Sequence, residues 1–230
     1  MVVLKLALLG KNISHSLSPK LYQEIYGEEQ VKYRLLDFQN EMTIPSLEVL
    51  FKDLDGLNIT APYKQHFLDS VKIFDKPVEK LNAINCIARG ESGFVATNTD
   101  YTALLKLLPE MTRDRYVVIL GSGVMARVTS VACEHLKIKY EQWSRSETPN
   151  LFQQMDFEKV SDKNILIVNC CAREFVFRAE IPARALFWDM NYAHKEHELI
   201  FARDRRYIDG LNLLRAQAKD AAAFWSRLKN

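Results

Sequence analysis

The stretch that most constrains the fold of this chain is Gly56-Leu57-Asn58-Ile59-Thr60-Ala61-Pro62-Tyr63-Lys64. Its first half alternates apolar Leu57 and Ile59 with polar Asn58 and Thr60. Residues two apart on a β-strand point to the same face, so this alternation predicts a strand that presents an amide and a hydroxyl side by side.

The second half of the stretch predicts a turn and then a helix. Ala61-Pro62 ends the strand, and Pro62 suits the first position of a helix, which places Lys64 in the first helical turn. The N-terminal end of a helix carries partial positive charge, so a lysine there should lose its proton more readily and suits acid/base chemistry. The alternative is a solvated lysine at a strand-turn-helix corner.

The composition is that of an ordinary globular protein. The 230 residues suffice for one large domain or two smaller ones, and 48% of them are hydrophobic and 26% charged. A net charge of +2 gives no general attraction for nucleic acid or an anionic membrane, so neither is expected as a partner. An anionic small molecule would have to be held by local groups.

The cysteines and histidines suggest neither disulfides nor a metal. No CxxC pair occurs, and adjacent Cys170 and Cys171 are poorly placed for a mutual disulfide, so we expect reduced thiols in a cytoplasmic protein. His194 and His197 have a spacing that could bind a metal on a helix, but no other ligand supports it, and a solvated helical face is expected. Val2–Leu9 is predicted as a buried strand rather than a signal peptide, and no apolar run approaches the ~18 residues of a membrane span.

The N-terminal part of the chain alternates short strands and helices. Ser18 and Pro19 predict the N-cap and first residue of a helix, whereas Ser16 has no evident structural role. Asn98-Thr99-Asp100 supplies cap chemistry for a later helix. The expected strands are 2–9, 31–38, 57–60, 82–88 and 94–96, and the expected helices are 19–26, 44–52 and 78–81.

A different pattern begins with the apolar run Tyr116–Leu120, which predicts a buried parallel strand. The glycine turn Gly121-Ser122-Gly123-Val124-Met125-Ala126 follows, then a helix to about residue 136 and a strand over 138–143. This is the first βαβ unit of a dinucleotide-binding fold. The two glycines permit a tight turn and close approach of a pyrophosphate, and the helix N-terminus supplies amide donors.

The second strand of this unit ends in Ser144-Arg145-Ser146 rather than in an acidic residue. An arginine flanked by hydroxyls suits the 2′-phosphate of NADP, whereas an Asp or Glu would suit the ribose of NAD. Glu141 lies near the usual spacing for such an acid but falls inside the predicted strand. NADP is therefore the predicted cofactor.

Further parallel strands are expected over 165–169, 185–189 and 207–209, before a helix from 210 to about 228. The fold class is therefore α/β with two domains joined near residues 101–113. The predicted domains are a substrate-binding domain over 1–103 and a Rossmann-type NADP-binding domain over 104–210, with residues 211–230 forming a helix that returns to the first domain.

Taken together, these stretches resemble the shikimate dehydrogenase family nearly from end to end. The match is carried by short polar motifs in the family's order. They are His15–Pro19 (family pattern HSxSP), Asn58–Lys64 (NVTxPxK), Ala83–Cys86 (AxNT, with Cys86 for Thr), Asn98–Asp100 (NTD), Asp189–Tyr192 (DxxY) and Gly210–Gln217 (GxxMLxxQ).

The resemblance implies a cleft between the two domains and proton transfer by Lys64 and Asp100 during reduction of a ring ketone. It also implies hydroxyl contacts to a substrate carboxylate from two serines, and hydrogen bonds from other polar groups to shikimate or 3-dehydroshikimate. The implied substrate contacts are Ser16, Ser18, Asn58, Thr60, Asn85, Tyr192 and Gln217. The predicted cofactor contacts are Gly121, Ser122, Gly123, Val124, Met125, Ala126, Ser144, Arg145, Ser146 and Gly210.

The chain departs from the family pattern mainly in its cofactor half. Val124 and Met125 stand where more glycine is usual, and Cys170-Cys171-Ala172-Arg173 replaces a Thr and a small-residue loop. The usual Pro after DxxY is also missing, since Ala193-His194 follows. Two alternatives therefore stay open: a relative that acts on quinate or another cyclic hydroxy acid, with NAD in some cases, and a shikimate-binding relative without turnover. A monomer and a homodimer fit equally well.

Overall fold

The computed structural model describes residues 3–144, 164–178, 181–201 and 205–228. The chain forms two compact units, of which unit 1 comprises Met1–Thr102 with Arg215–Asn230 and unit 2 comprises Ala103–Leu214. None of the helices in the described ranges has both the length and the apolar character that crossing a membrane requires.

The secondary structure is mixed α/β in both units. Up to residue 97 the elements are β1 (Leu4–Gly10), α1 (Ser18–Tyr26), β2 (Val31–Asp37), α2 (Leu47–Leu50), β3 (Gly56–Ile59), β4 (Lys72–Ile73), α3 (Lys76–Leu81), β5 (Cys86–Gly90) and β6 (Gly93–Thr97). They are followed by α4 (Thr99–Met111), β7 (Tyr116–Leu120), α5 (Val124–His135), β8 (Tyr140–Trp143), β9 (Ile165–Asn169), β10 (Ala185–Asp189), α6 (Lys195–Phe201), β11 (Tyr207–Ile208) and α7 (Leu211–Arg227).

Unit 1 is built on a six-stranded mixed sheet with the order β2-β1-β3-β5-β6-β4. Strand β3 lies between β1, with which it is parallel, and β5, with which it is antiparallel. Leu57 and Ile59 of β3 are buried in one hydrophobic cluster, which confirms the predicted alternation. A Cβ on Gly56 would come within 2.6 Å of the Trp225 ring, so α7 packs directly on the sheet backbone there.

Unit 2 is built on a five-stranded sheet with the order β11-β10-β9-β7-β8, and every neighbouring pair is parallel. The first strand along the chain, β7, lies between β8 and β9, so the strand order reverses at this point. In open α/β sheets ligands bind beyond the carboxyl ends of the strands at such a reversal. The strand-helix-strand unit predicted from residue 116 onward is confirmed.

Two predicted elements of unit 1 are wrong in their extent. The helix expected over 44–52 is reduced to Leu47–Leu50, because Pro45 lacks an N–H group and restricts the conformation of Ile44. The strand expected from residue 82 begins only at Cys86, since Asn82 adopts a left-handed backbone conformation with φ of 50°.

Candidate functional site

A nearly buried ion pair joins two segments of unit 1. The Lys64 ammonium donates a hydrogen bond of 2.6 Å to Oδ2 of Asp100, and the two side chains are 10% and 12% exposed. Lys64 lies in the turns that follow β3, and Asp100 lies in the first turn of α4. An ammonium and a carboxylate at this distance can exchange a proton with each other or with a bound hydroxyl group.

The prediction that Lys64 lies in the first turn of a helix is wrong. The Tyr63 N–H group bonds to the Thr60 carbonyl at 3.0 Å, which closes a turn of the i to i+3 type. The Lys64 carbonyl accepts the N–H group of Ile84 at 2.8 Å, so it is used by another segment rather than by a helix. Lys64 is therefore not in a helix that begins at Pro62, and its ion pair with Asp100 is the feature that suits it to acid/base chemistry.

The position of Asp100 follows from the cap of α4. Asn98 Oδ1 accepts the N–H group of Tyr101 at 3.1 Å, and Asn98 Nδ2 donates to the Ala83 carbonyl at 3.0 Å. The cap chemistry predicted for 98–100 is confirmed. The helix therefore begins at a fixed place on the sheet, and its N-terminal end favours the negative charge of Asp100.

Two asparagine amides next to this pair have orientations fixed by backbone groups. Asn58 Nδ2 donates to the carbonyl of Asn85 at 3.1 Å, and Tyr33 donates its hydroxyl to Asn58 Oδ1 at 2.9 Å. Asn85 Oδ1 accepts the N–H group of Thr99 at 2.6 Å. Because a backbone carbonyl only accepts and a backbone N–H only donates, neither amide can be flipped without losing a bond.

Thr99 links three of the site's segments and was missed as a site residue in the sequence. Its hydroxyl lies 3.1 Å from Asn85 Oδ1 and 3.2 Å from Gln217 Oε1, so it connects α4 with α7 and with the residue that precedes β5. The sequence feature that could have indicated a site role for Thr99 was its position between the capping Asn98 and the acidic Asp100. Tyr33 was also missed, because its role depends on a contact across the sheet that strand periodicity does not reveal.

The serine loop places two hydroxyls together. Ser16 Oγ donates to Ser18 Oγ at 3.2 Å and accepts the Ser18 N–H group at 3.2 Å. The prediction that Ser18 caps α1 is wrong, since the N-cap is Leu17 and its side chain makes no capping bond. Ser18 instead lies inside the first turn, and Ser16 has the local bonding role that the sequence did not suggest.

Thr60 is fixed against the start of this loop by a glycine. A Cβ on Gly10 would lie 2.5 Å from Thr60 Cγ2 and 2.6 Å from Ile13 Cγ2, so only glycine leaves room for both side chains. The Thr60 N–H group also bonds to the Leu9 carbonyl at 2.9 Å. The end of β1 therefore packs closely against Thr60 and against Ile13 at the start of the serine loop.

The glycine turn of unit 2 has the geometry of an anion site. Gly121 has φ of 108°, and a Cβ there would lie 3.2 Å from the Cys170 carbonyl oxygen, so the turn passes close to the end of β9. Gly123 precedes α5, and nothing lies within 4 Å of where its Cβ would be. The first turn of α5 has no acidic residue and no capping side chain, so its N–H groups and dipole favour an anion.

The other predicted cofactor residues are only partly described. Ser144 is buried directly after β8, whereas Arg145 and Ser146 lie outside the described residues. Glu141 is an exposed residue within β8 that accepts hydrogen bonds from Tyr116 at 2.7 Å and from Trp143 at 3.1 Å. Arg145 as a ligand of a 2′-phosphate stays a prediction.

Sequence comparisons find similarity to shikimate dehydrogenases. The model of the shikimate dehydrogenase substrate-binding domain matches residues 8–87 of this chain. A shikimate dehydrogenase (NADP(+)) from Clostridium botulinum is 26% identical, and the alignment covers 95% of each chain. The chain is therefore similar to shikimate dehydrogenases over nearly its whole length.

Solved structures of this family and of a related enzyme share the fold. A shikimate 5-dehydrogenase from Thermus thermophilus, in complex with NADP(H) and shikimate, matches with a TM-score of 0.78 and 22% identity, over 98% of this chain and 94% of its own. A quinate dehydrogenase from Corynebacterium glutamicum, in complex with NAD, matches with a TM-score of 0.76 and 20% identity, over 99% and 95%. At these identities the likeness shows the two-domain fold.

The family's polar motifs fall into distinct groups in this chain. Thr99 and Asp100 are consecutive, so the ion pair and the amide network meet at the first turn of α4. The residues joined there by described hydrogen bonds are Lys64, Asp100, Asn58, Asn85 and Gln217. Ser16, Ser18 and Thr60 belong to the serine loop and its support. The binding roles assigned to all these residues stay predictions.

The family's DxxY segment forms a loop after β10. Tyr192 is half-buried in this loop, and Gly210 donates its N–H group to the Asn191 carbonyl at 3.0 Å. A Cβ on Gly210 would collide with the Met190 carbonyl oxygen, so glycine is required for this close approach. Contacts of Tyr192 with substrate and of Gly210 with cofactor stay predictions.

The prediction of a solvated face for His194 and His197 is wrong, since both are buried. His197 Nε2 accepts the N–H group of Phe177 at 2.8 Å, so its proton is on Nδ1, which donates to Asp189 Oδ2 at 2.5 Å. The two imidazole rings stack with centroids 3.9 Å apart. Within the described ranges, no group of three or more His, Cys, Asp or Glu residues could hold a metal ion.

Proposed function

We propose that this chain is an NADP-dependent shikimate dehydrogenase, which interconverts 3-dehydroshikimate and shikimate. The observation that carries the proposal is the Lys64–Asp100 ion pair, 2.6 Å long and almost withdrawn from solvent, beside an oriented amide network. In the reductive direction the carbonyl carbon gains a hydride and its oxygen gains a proton. Lys64 is placed to donate that proton, and Asp100 to stabilise and recharge it.

The neutral groups around the pair suit a polyhydroxylated ring. Asn58 and Asn85 have their amide oxygens engaged by Tyr33 and Thr99. Asn58 Nδ2 gives one hydrogen to the Asn85 carbonyl, so its second amide hydrogen and the Asn85 amide group are the donors suited to substrate hydroxyls. A site built to hydrogen-bond hydroxyl groups rejects analogues that lack them, because its own polar groups are then left without partners. The paired hydroxyls of the serine loop suit the substrate carboxylate.

The glycine turn of unit 2 fits the pyrophosphate of a dinucleotide. Gly123 leaves open space over the first turn of α5, and Ala126 is fully buried where the helix meets the sheet. Residues 121–126 would hold the pyrophosphate, with Ser144, Arg145 and Ser146 near the 2′-phosphate. When bound, the reduced cofactor would supply the hydride in the reductive direction, and this chain would supply orientation and the proton.

Initial rates of nicotinamide reduction test the proposal. Purified protein would be assayed with shikimate or quinate, each with NADP or NAD, and we expect the highest kcat/KM with shikimate and NADP. Lys64→Met serves as the matched inactive control. Arg145→Ala should raise the KM for NADP by about tenfold and leave that for NAD nearly unchanged, as loss of a phosphate contact requires. Equal effects on both cofactors would contradict the assignment of Arg145.

Two alternatives rest on specific observations. The fold likeness to a quinate dehydrogenase with bound NAD makes quinate and NAD the competing pair, and the same assay separates them. The departures at Val124, Met125 and 170–173 motivate a protein that binds shikimate without turnover. Calorimetric binding of shikimate with no nicotinamide reduction would favour that second alternative.

The expected setting of the enzyme is the cytoplasm, as a monomer or homodimer. Each of the four cysteines lies in the described ranges and is a thiol, which fits a reducing compartment. Fractionation of the native cell and sedimentation of the purified protein test these two points.

A further inference from the structure

Arg173 joins the segment after β9 to the Tyr192 loop. Its Nη1 donates to the Tyr192 carbonyl at 3.0 Å, and its Nη2 donates to the Ala193 carbonyl at 2.6 Å. The guanidinium fork thus spans two consecutive carbonyl groups of the loop. A planar fork with fixed donors restrains both groups at once, which the single ammonium of a lysine would not do.

His194, in the same loop, makes a hydrogen bond back to the Arg173 backbone. His194 Nε2 lies 2.8 Å from the Arg173 carbonyl, and its Nδ1 accepts the N–H group of His197 at 3.2 Å. Since the backbone N–H only donates, the proton of His194 is on Nε2, which therefore donates to Arg173. We call this reciprocal set of three bonds between Arg173 and residues 192–194 the loop clasp.

The clasp has a buried anchor. His197 donates to Asp189, whose carboxylate also accepts from Asn169 at 3.1 Å and from the Asn191 N–H group at 3.0 Å. Asp189 and His197 are fully buried. The loop that carries Tyr192 is therefore tied at its start to the end of β10 and beyond Tyr192 to α6.

The backbone inside the clasp is held in an unfavourable conformation. Ala193 has φ of 49°, in the left-handed region that costs a non-glycine residue roughly 1–2 kcal/mol. Such a conformation persists only where the surrounding contacts determine it, and here the Ala193 carbonyl is bound by Arg173. The clasp thus sets the backbone direction immediately after Tyr192.

We propose that Arg173 is a positioning residue for Tyr192, acting through the loop clasp. The two places where this chain departs from the family pattern, 170–173 and 193–194, hydrogen-bond to each other. These bonds give the loop a support in this chain at the place where the family pattern has a proline. The catalytic consequence rests on the proposed function and on the predicted contact of Tyr192 with the substrate.

A double-mutant cycle with Tyr192 tests the proposal. Arg173→Met should lower kcat/KM for shikimate about tenfold in the wild-type background but less than about twofold in a Tyr192→Phe background, because it acts through the same contact. Arg178→Met is the matched control. Arg178 lies in the same segment, but its 3.8 Å ion pair with Glu196 is exposed, so its activity should stay within about twofold of wild type.

Two results would overturn the proposal. Independent, multiplying losses of kcat/KM from Arg173→Met and Tyr192→Phe would show that Arg173 does not act through Tyr192.

The second readout, amide hydrogen exchange over 189–194, does not depend on turnover. Arg173→Met should speed exchange of the Asn191 amide about tenfold and Arg178→Met should not. A wild-type protein without shikimate oxidation would contradict the proposed function, while unchanged exchange in Arg173→Met would contradict the clasp itself.

Discussion

Removing the cation of the Lys64–Asp100 pair should damage stability and turnover in separable ways. Lys64→Met keeps the length of the side chain and removes its charge, which leaves the Asp100 carboxylate in a nearly buried position without the cation 2.6 Å away. Adding Asp100→Asn removes the remaining charge, so that the double variant has an uncharged pair at this position. The single and double variants therefore differ in electrostatics while both lack the proposed proton donor.

The size of the effect follows from burial. Breaking a buried ion pair by removing one partner costs about 3–5 kcal/mol. The side chains here are 10% and 12% exposed, so solvent screens part of the charge and we expect about 3 kcal/mol for Lys64→Met. For a chain of this length the shift in Tm is about 6–12 °C. Asp100→Asn added to Lys64→Met should recover about 2 kcal/mol, because neutral replacement of a buried pair is often nearly neutral.

Thermal unfolding and initial rates, measured on the same preparations, separate the two effects. Both variants should lose about 10²–10⁴-fold in kcat, the usual contribution of a general acid, and the loss should persist in the more stable double variant. Calorimetric binding of shikimate should change much less than kcat in Lys64→Met.

Two outcomes would refute this reasoning. A double variant no more stable than Lys64→Met would show that the carboxylate charge is not what destabilises the single variant. Near-normal turnover by Lys64→Met would remove the proposed role of Lys64 in proton transfer.

Three further predictions concern the amide network, the sheet and a thiol. Tyr33→Phe removes the donor to Asn58 Oδ1 and should raise the KM for shikimate about three- to tenfold, with a smaller change in kcat. The control is Tyr26→Phe, which removes a buried hydroxyl without a hydrogen-bond partner and should leave the KM unchanged. Gly56→Ala forces a Cβ into the Trp225 ring and should cost about 1–3 kcal/mol in chemical denaturation; unaltered stability would contradict the packing. Burial raises the pKa of Cys170 to about 12, so the reactive thiolate is scarce at pH 8, and peptide mapping after alkylation should find Cys170 labelled only after unfolding.

Local patterns in the sequence were sufficient for much of the fold. The apolar run at β7, the glycine turn after it and the alternation in β3 each reflect a single element and the face it buries. Those elements appear where they were predicted, because the neighbouring strands complete the backbone hydrogen bonds that an extended conformation leaves open.

The errors in the predicted elements arose where a backbone or side-chain group bonds to a segment that is distant in sequence. The helix expected after Pro62 does not form, since the Lys64 carbonyl accepts an amide from Ile84 instead of one further along the same segment. His194 and His197 are buried for a similar reason, because Arg173 and Phe177, about 20 residues earlier in the chain, supply their hydrogen-bond partners. Periodicity carries no information about such partners.

The candidate site was predictable in its residues but not in its bonding. Short polar motifs indicated Lys64 and Asp100, and the structure brings them into direct contact. The orientation of the Asn58 and Asn85 amides depends on which backbone groups face them, and so do the roles of Tyr33 and Thr99. These relations exist only once β3, β5 and α4 are assembled.

The measurement that tests the central claim most directly is the rate of NADPH formation by the purified protein with shikimate and NADP, with Lys64→Met measured beside it. We expect clear reduction of NADP by the wild-type protein, slower reduction with NAD or quinate, and a rate close to background in the variant. Absence of reduction by the wild-type protein, despite calorimetric binding of shikimate, would contradict the proposed enzyme and favour a shikimate-binding protein without turnover.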